Sequence, residues 1–372
     1  MEIRGTPSTT EAPDGPSTPR LHEDTIATEP PIELPPPEVV ARARRWRERI
    51  DPASLYADLV ALPGPRSPLE QPEASAATVA LLEERFRQAG WDTQRQAFEV
   101  RDTARHYGRL VARYFPDAPG VNVVAQRIGA RRPDDLVVVG AHHDTLPTTP
   151  GADDNGAGLV ALLALARLLA DVEFDATVAL VAFDHEEIGF HGARHYVWQL
   201  PATVTVQGAL IYETMAYIRH EPDTQRLPPG FGALFPRQVR HVRRRGRIGD
   251  FDAVIYRNRS RVLARRLAGA LAALEGDEAA MLLRDPVDLP IAGTVMKYLL
   301  PPVRNLARSD HVPFWDAGLP AVQVTDTANF RNPHYHQPSD HPDTLDLRRL
   351  AAIAAATAVT VERTAGSSEG RS

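Results

Sequence analysis

Residues 136–145 read LVVVGAHHDT, and residues 177–187 read TVALVAFDHEE. Each joins an apolar, largely β-branched run to an abrupt cluster of His, Asp and Glu. A continuous apolar run without alternation describes a strand buried on both faces. Such strands lie in parallel sheets that carry helices on both sides. Ligands of these sheets bind outside the C-terminal strand ends, and both polar clusters fall there.

The neighbouring sequence follows the same plan. Residues 209–212 (ALIY) and 321–325 (AVQVT) read as further buried strands, and 93–100 and 122–126 alternate as half-exposed ones. Helical periodicity begins near residue 38 (EVVARARRWRERI) and returns at 76–89, 156–170, 260–275 and 345–365. The 76–89 helix stops at Gly90, a natural C-cap. Strands alternating with helices predict an α/β fold, a mostly parallel central sheet flanked by helices on both faces. Residues 218–308 are less regular and are expected to form an insertion or lid around the site. Residues 1–37 are rich in Pro, Ser, Thr and Glu and read as a disordered tail. Residues 38–366 then form one domain, and 367–372 a second short tail.

Composition narrows the function. The chain has 372 residues, 43% of them hydrophobic, which suits one large α/β domain. A net charge of −6 argues against a nucleic-acid partner. There is no Cys, so any metal must be held by His, Asp and Glu. The first residues lack the apolar core of a signal peptide, and the longest apolar run, 159–170, contains Arg167 and is too short to span a bilayer. A cytoplasmic protein without membrane attachment is expected. The sequence carries no sign of its oligomeric state.

Five segments carry the chemistry. In 141–144 (AHHD), His142 and Asp144 stand two apart and point the same way in an extended chain, so a carboxylate can fix a ligating imidazole. In 151–158 (GADDNGAG), one Asp is explained as a helix N-cap, but two in succession are not. The Glu186–Glu187 pair follows a buried strand and needs a positive charge beside it. One carboxylate can then hold a metal while the other moves a proton. Glu213 follows the strand ALIY, where, taken alone, a capping or salt-bridge role is the favoured reading. The last segment, 332–340 (NPHYHQPSD), sets His336 beside Tyr335 and four residues before Asp340. Oxygen ligands with a few imidazoles suit Zn²⁺, Mn²⁺ or Co²⁺. Two His and three carboxylates are enough for two metals that share one carboxylate.

The ordered set GAHHDT, PGADDNGAG, AFDHEEIGFHGARHY and RNPHYHQPSD resembles the two-zinc exopeptidase family of bacterial leucyl aminopeptidases and glutamate carboxypeptidase-like proteins. The stretches 212–225 and 308–328 resemble it too, and the likeness spans roughly residues 50–362. It implies Zn²⁺ at two per chain. His142, Asp154 and Glu213 are implied as ligands of one, and Asp154, Glu187 and His336 of the other, with Asp154 bridging. It further implies Glu186 as general base and then acid, Asp144 as the group that orients His142, and Tyr335 as the phenol that stabilises the tetrahedral intermediate. Many members have Asp where Glu213 stands, and EMIGY is commoner than ETMAY.

The activity so implied is hydrolysis of the terminal peptide bond of small peptides, foremost by an aminopeptidase. A carboxypeptidase or dipeptidase on the same core would need a cation for the substrate carboxylate; the Arg-rich stretch 237–247 could serve, but a solvated helix face is its favoured reading. An N-acyl-amino-acid deacylase shares the ligand types but not the SDHVPF and YHQPSD segments. A non-catalytic binding module would have lost ligands, and all five remain.

Overall fold

The computed structural model describes residues 32–101, 117–288 and 301–367. Residues 1–31, most of the expected N-terminal tail, lie outside the described residues, as do 289–300 of the expected lid and 368–372. Among the described residues eight strands make one sheet. They are β1 (Asp92–Val100), β2 (Ala118–Arg127), β3 (Arg132–His142), β4 (Ala176–Phe183), β5 (Thr205–Tyr212), β6 (Asp252–Tyr256), β7 (Ala280–Arg284) and β8 (Ala321–Thr325). Their spatial order is β1-β2-β4-β3-β5-β8-β6-β7. The central strands β4, β3, β5 and β8 run parallel, while β2 against β4, β1 against β2 and β6 against β8 are antiparallel.

The apolar run in β3 shows why the centre is parallel. Val137 and Val139 face one hydrophobic cluster, and Leu136 and Val138 face the other. Successive side chains on a strand point to opposite faces, so both faces must be covered. The first face carries α1 (Pro37–Glu48), α2 (Pro52–Ala61), α3 (Pro72–Gln88), α4 (Ala157–Leu168), α7 (Arg261–Glu275) and α9 (Leu347–Ala365). The second carries α5 (His191–Trp198) and α8 (His311–Asp316), while α6 (Pro236–Arg244) faces Ala253, Ile255 and Leu283 of that side across a pocket. Helix α9 is buried along most of its length because it is rich in Ala, whose small side chain admits close packing against α4 and α7. Asp346 caps it by accepting from the backbone N–H groups of Arg348 and Arg349, each at 3.0 Å.

The structure refines three boundaries. Within 218–308, β6 and β7 are strands of the central sheet and α7 is one of its covering helices. Ile32 packs on the core and Arg265 pairs with Glu33, so the end of the stretch expected as a tail lies against α7. Ser367 forms a bridge with Phe174 and is buried, one residue past the expected domain end. No helix among the described residues is long and apolar enough to cross a membrane.

Candidate metal centre

Four strand ends deliver the site. β3 ends on His142, with Asp144 two residues on. Glu186 and Glu187 follow β4, and Glu213 follows β5. Asp154 sits in the turn that opens α4, and His336 in the loop beyond β8. The turn depends on glycine. Gly151 has φ of +66°, and a Cβ there would meet Asp154 O at 2.5 Å.

Asp154 is the centre of the geometry. Its Oδ1 is 3.2 Å from His142 Nε2, which is also 3.4 Å from Glu213 Oε2. Its Oδ2 is 3.0 Å from His336 Nε2, which lies 3.4 Å from Glu187 Oε2. Two groups of three potential ligands therefore share Asp154, and neither includes Glu186. His142 Nε2, both Asp154 oxygens, Glu187 Oε1 and His336 Nε2 are buried without a hydrogen-bond partner. Buried polar atoms are normally paired, and five unpaired ones within the two groups make both candidate cation sites. The donors, imidazole nitrogen and carboxylate oxygen, fit zinc.

Electrostatics makes the same demand. Burial, with like charge from Glu213 and Glu187, pushes Glu186 well above the usual carboxylate range against the pull of His142. Burial and Asp154 do the same to Glu187. Burial opposes ionisation of Asp154 too, but the imidazoles of His142 and His336 hold it well below that range.

The supporting contacts assign each neighbour a place. His142 Nδ1 lies 3.0 Å from the carbonyl oxygen of Asp144, so an N–H there leaves Nε2 free to face Asp154 and Glu213. The Asp144 carboxylate is 3.5 Å from the same nitrogen. Its two oxygens accept from the backbone N–H groups of Glu186 at 3.0 Å and Glu187 at 3.2 Å. Asp144 therefore fixes the Glu pair as well as the imidazole. Asp153 turns away from the centre and accepts from Ala216 N at 3.2 Å and Asn332 Nδ2 at 2.7 Å. Asp340 accepts from the backbone N–H groups of Asp153 at 3.0 Å and Asp154 at 3.2 Å. The Tyr335 ring stacks on His336, with centroids 3.8 Å apart. Burial, with the carboxylates of Asp154 and Glu213, raises its phenol far above the ordinary value, so it keeps its proton.

One supporting residue has no signal in the sequence. Arg66 is 1% exposed and donates to backbone carbonyls of His143 at 2.6 Å, Pro150 at 2.9 Å and Gly151 at 3.0 Å. It clamps the loop between His142 and Asp154. Arg66→Met keeps the stem but takes the side-chain donor from the carbonyls of Pro63, His143 and Pro150, while Gly151 O keeps the N–H of Gly156. A loss of about 3 kcal/mol or more is expected, since each orphaned buried acceptor costs roughly 1–3 kcal/mol. Urea unfolding measures it, and a change under about 0.5 kcal/mol, the usual range for inert surface positions, would refute the clamp.

The family model "Peptidase family M28" matches residues 122–245 and 250–361. The uncharacterized Escherichia coli protein YfbL is 31% identical over 249 residues, covering 63% of this chain and 68% of its own. Aminopeptidase YwaD of Bacillus subtilis is 43% identical over 75 residues, covering 19% of this chain and 16% of its own. Among solved structures, the Bacillus subtilis zinc aminopeptidase BSAP aligns with a TM-score of 0.60 at 15% identity, over 84% of this chain and 94% of its own. A glutaminyl cyclase from Macrostomum lignano aligns with a TM-score of 0.62 at 15% identity, over 91% of this chain and 96% of its own. At such identities the two structural likenesses are likenesses of fold.

Proposed function

The chain belongs to peptidase family M28, and from that premise we propose that it is a two-zinc aminopeptidase acting on small peptides. The observation that carries this reading is the pair of three-ligand groups sharing Asp154, with their buried unpartnered atoms. His142, Asp154 and Glu213 would hold one zinc, and Asp154, Glu187 and His336 the other. Zinc held by these residues would supply Lewis acidity to the scissile carbonyl and would acidify water for attack.

The chain's own groups do the rest. Glu186 stands beside both ligand groups and belongs to neither, so its carboxylate is free to take the proton of the attacking water. It then gives that proton to the leaving amine. Asp144 holds the backbone of Glu186 and Glu187 in place, which fixes the point from which the base projects. Tyr335, which keeps its phenol proton, donates to the developing oxyanion. Tyr335→Phe should keep both zincs and lower kcat by roughly 10–1,000-fold, the loss that follows removal of one oxyanion donor. Elemental analysis of the same sample must accompany the assay, because His336 is adjacent. An unchanged kcat would assign the oxyanion to another group.

A second reading, a carboxypeptidase, has one observation in its favour. Arg308 lines the pocket beside Glu213 and Tyr335, where a substrate carboxylate could meet it. The Arg-rich stretch 237–247 does not supply that cation. Arg237, Arg240 and Arg244 line a separate hollow with Asp277 and Glu278, and Arg245 pairs with Asp250. Parallel assays on aminoacyl, carboxyl-terminal and N-acyl substrates decide. Release of a free N-terminal residue supports the aminopeptidase, and cleavage confined to either other class rejects it.

A further inference from the structure

Past Glu213 and Tyr335 a pocket runs along the face of β8, β6 and β7, beneath α6. Its walls are apolar and partly aromatic, with Phe231, Phe235, Phe251, Val239, Ile255 and Leu283. The rings of Phe231 and Phe235 lie 5.1 Å apart at 56°, which leaves ring faces and edges for a further aromatic group.

Two carboxamides interrupt this apolar lining. Gln323 is 4% exposed, and its Oε1 is buried without a partner. Gln238 donates from Nε2 to the Leu282 carbonyl at 3.2 Å, which fixes the amide's orientation. Its Oε1 is then an acceptor, also buried and unpartnered. Both side chains line the cavity. Their depth follows from the strand. Glu213 N bonds the Val324 carbonyl, so the metal centre is level with the end of β8. Gln323 shares a strand face with Thr325 and stands two residues, roughly 7 Å, deeper. A long side chain entering from the metal centre reaches that depth, and Val or Ala does not.

The tip of that side chain must be a donor, because the Gln238 oxygen can only accept. A neutral tip fits this lining, because Arg226 and Arg308 disfavour a cation and Glu213, at the metal-centre end, disfavours an anion. The body must be large and apolar to fill the walls. We propose that this cavity takes a neutral aromatic side chain tipped by a hydrogen-bond donor, with tyrosine foremost. The proposal rests on the aminopeptidase reading only in making that side chain the substrate's N-terminal residue.

Two measurements test it separately. The first is binding of p-cresol against toluene to the intact protein by calorimetry, which requires no peptidase activity. p-Cresol should bind roughly 10-fold tighter or more, because toluene leaves the amide oxygens unpaired. The advantage should shrink in Gln323→Leu and in Gln238→Leu. The second is kcat/KM for Tyr, Phe, Leu and Gln amides of one leaving group. Tyr should exceed Phe by roughly 10–100-fold, and Gln323→Leu should bring that ratio towards one. Equal binding of p-cresol and toluene overturns the proposal, even if peptides are cleaved. A preference for Gln over Tyr overturns it as well, by showing selection of a carboxamide. Selective p-cresol binding without cleavage of any aminoacyl substrate supports the cavity's chemistry and rejects the aminopeptidase reading.

Discussion

Asp154→Ala protein is expected to emerge from zinc reconstitution with almost no retained metal, while His142→Ala and His336→Ala each keep about one equivalent. The asymmetry follows from geometry. Asp154 presents Oδ1 to His142 and Oδ2 to His336, so its carboxylate is the one group common to both sets of ligands. Its loss leaves each set with two donors, fewer than the three that catalytic zinc sites use. The activity should fall by about 10⁴-fold or more, because roughly 5 kcal/mol of transition-state charge stabilisation disappears with the metals. Elemental analysis gives the stoichiometry and steady-state kinetics the rate. Two equivalents in Asp154→Ala would mean that another group bridges, and one equivalent in the unaltered protein would reject the dinuclear reading. Asp153→Ala is the control. It faces Ala216 and Asn332, so its loss should disturb the loop without emptying both places.

The sequence displayed much of this arrangement because its chemistry is local. The valines of β3 announce a two-sided burial, and a His or carboxylate at a strand end stands out against such a run. What it hid is held by distance. Arg66 reaches across 77 residues to the His143 carbonyl, and no pattern around PGPR marks that contact. Asp340 caps the Asp153–Asp154 backbone from 187 and 186 residues away, although its motif was visible. The strands DAVIY and AMLLR are five residues each, too short for periodicity to separate strand from loop, so 218–308 read as irregular. Helix α5, with HGARHYVW, shows no apolar stripe because it meets the core mainly through Ala193 and Tyr196 while Trp198 is exposed. Asp144 illustrates a subtler limit. Spacing suggested its partnership with His142, but its hold on the backbone of residues 186 and 187 depends on β3 and β4 ending side by side.

Asp144 holds the two adjacent glutamates alike, yet their carboxylates reach different places, and exchanging each for Gln separates them. Glu187 Oε2 is 3.4 Å from His336 Nε2, inside a ligand group. Glu186 Oε2 approaches His142 Nε2 no closer than 4.0 Å, outside both groups. Glu186→Gln keeps size and polarity but cannot accept a proton, so two zincs should remain and KM should change little. The kcat should fall by roughly 10²–10⁴-fold, the worth of a positioned acid–base. Glu187→Gln should instead weaken one zinc, and excess metal should restore part of the rate. Asp144→Asn gives a third arm. An amide can accept only one of the two backbone N–H groups, so kcat should fall with zinc largely retained, because both glutamates loosen while the five ligands stay. An active Glu186→Gln beside a metal-replete, inactive Glu187→Gln would show the two roles reversed. Full activity in both would move the chemistry away from β4 altogether.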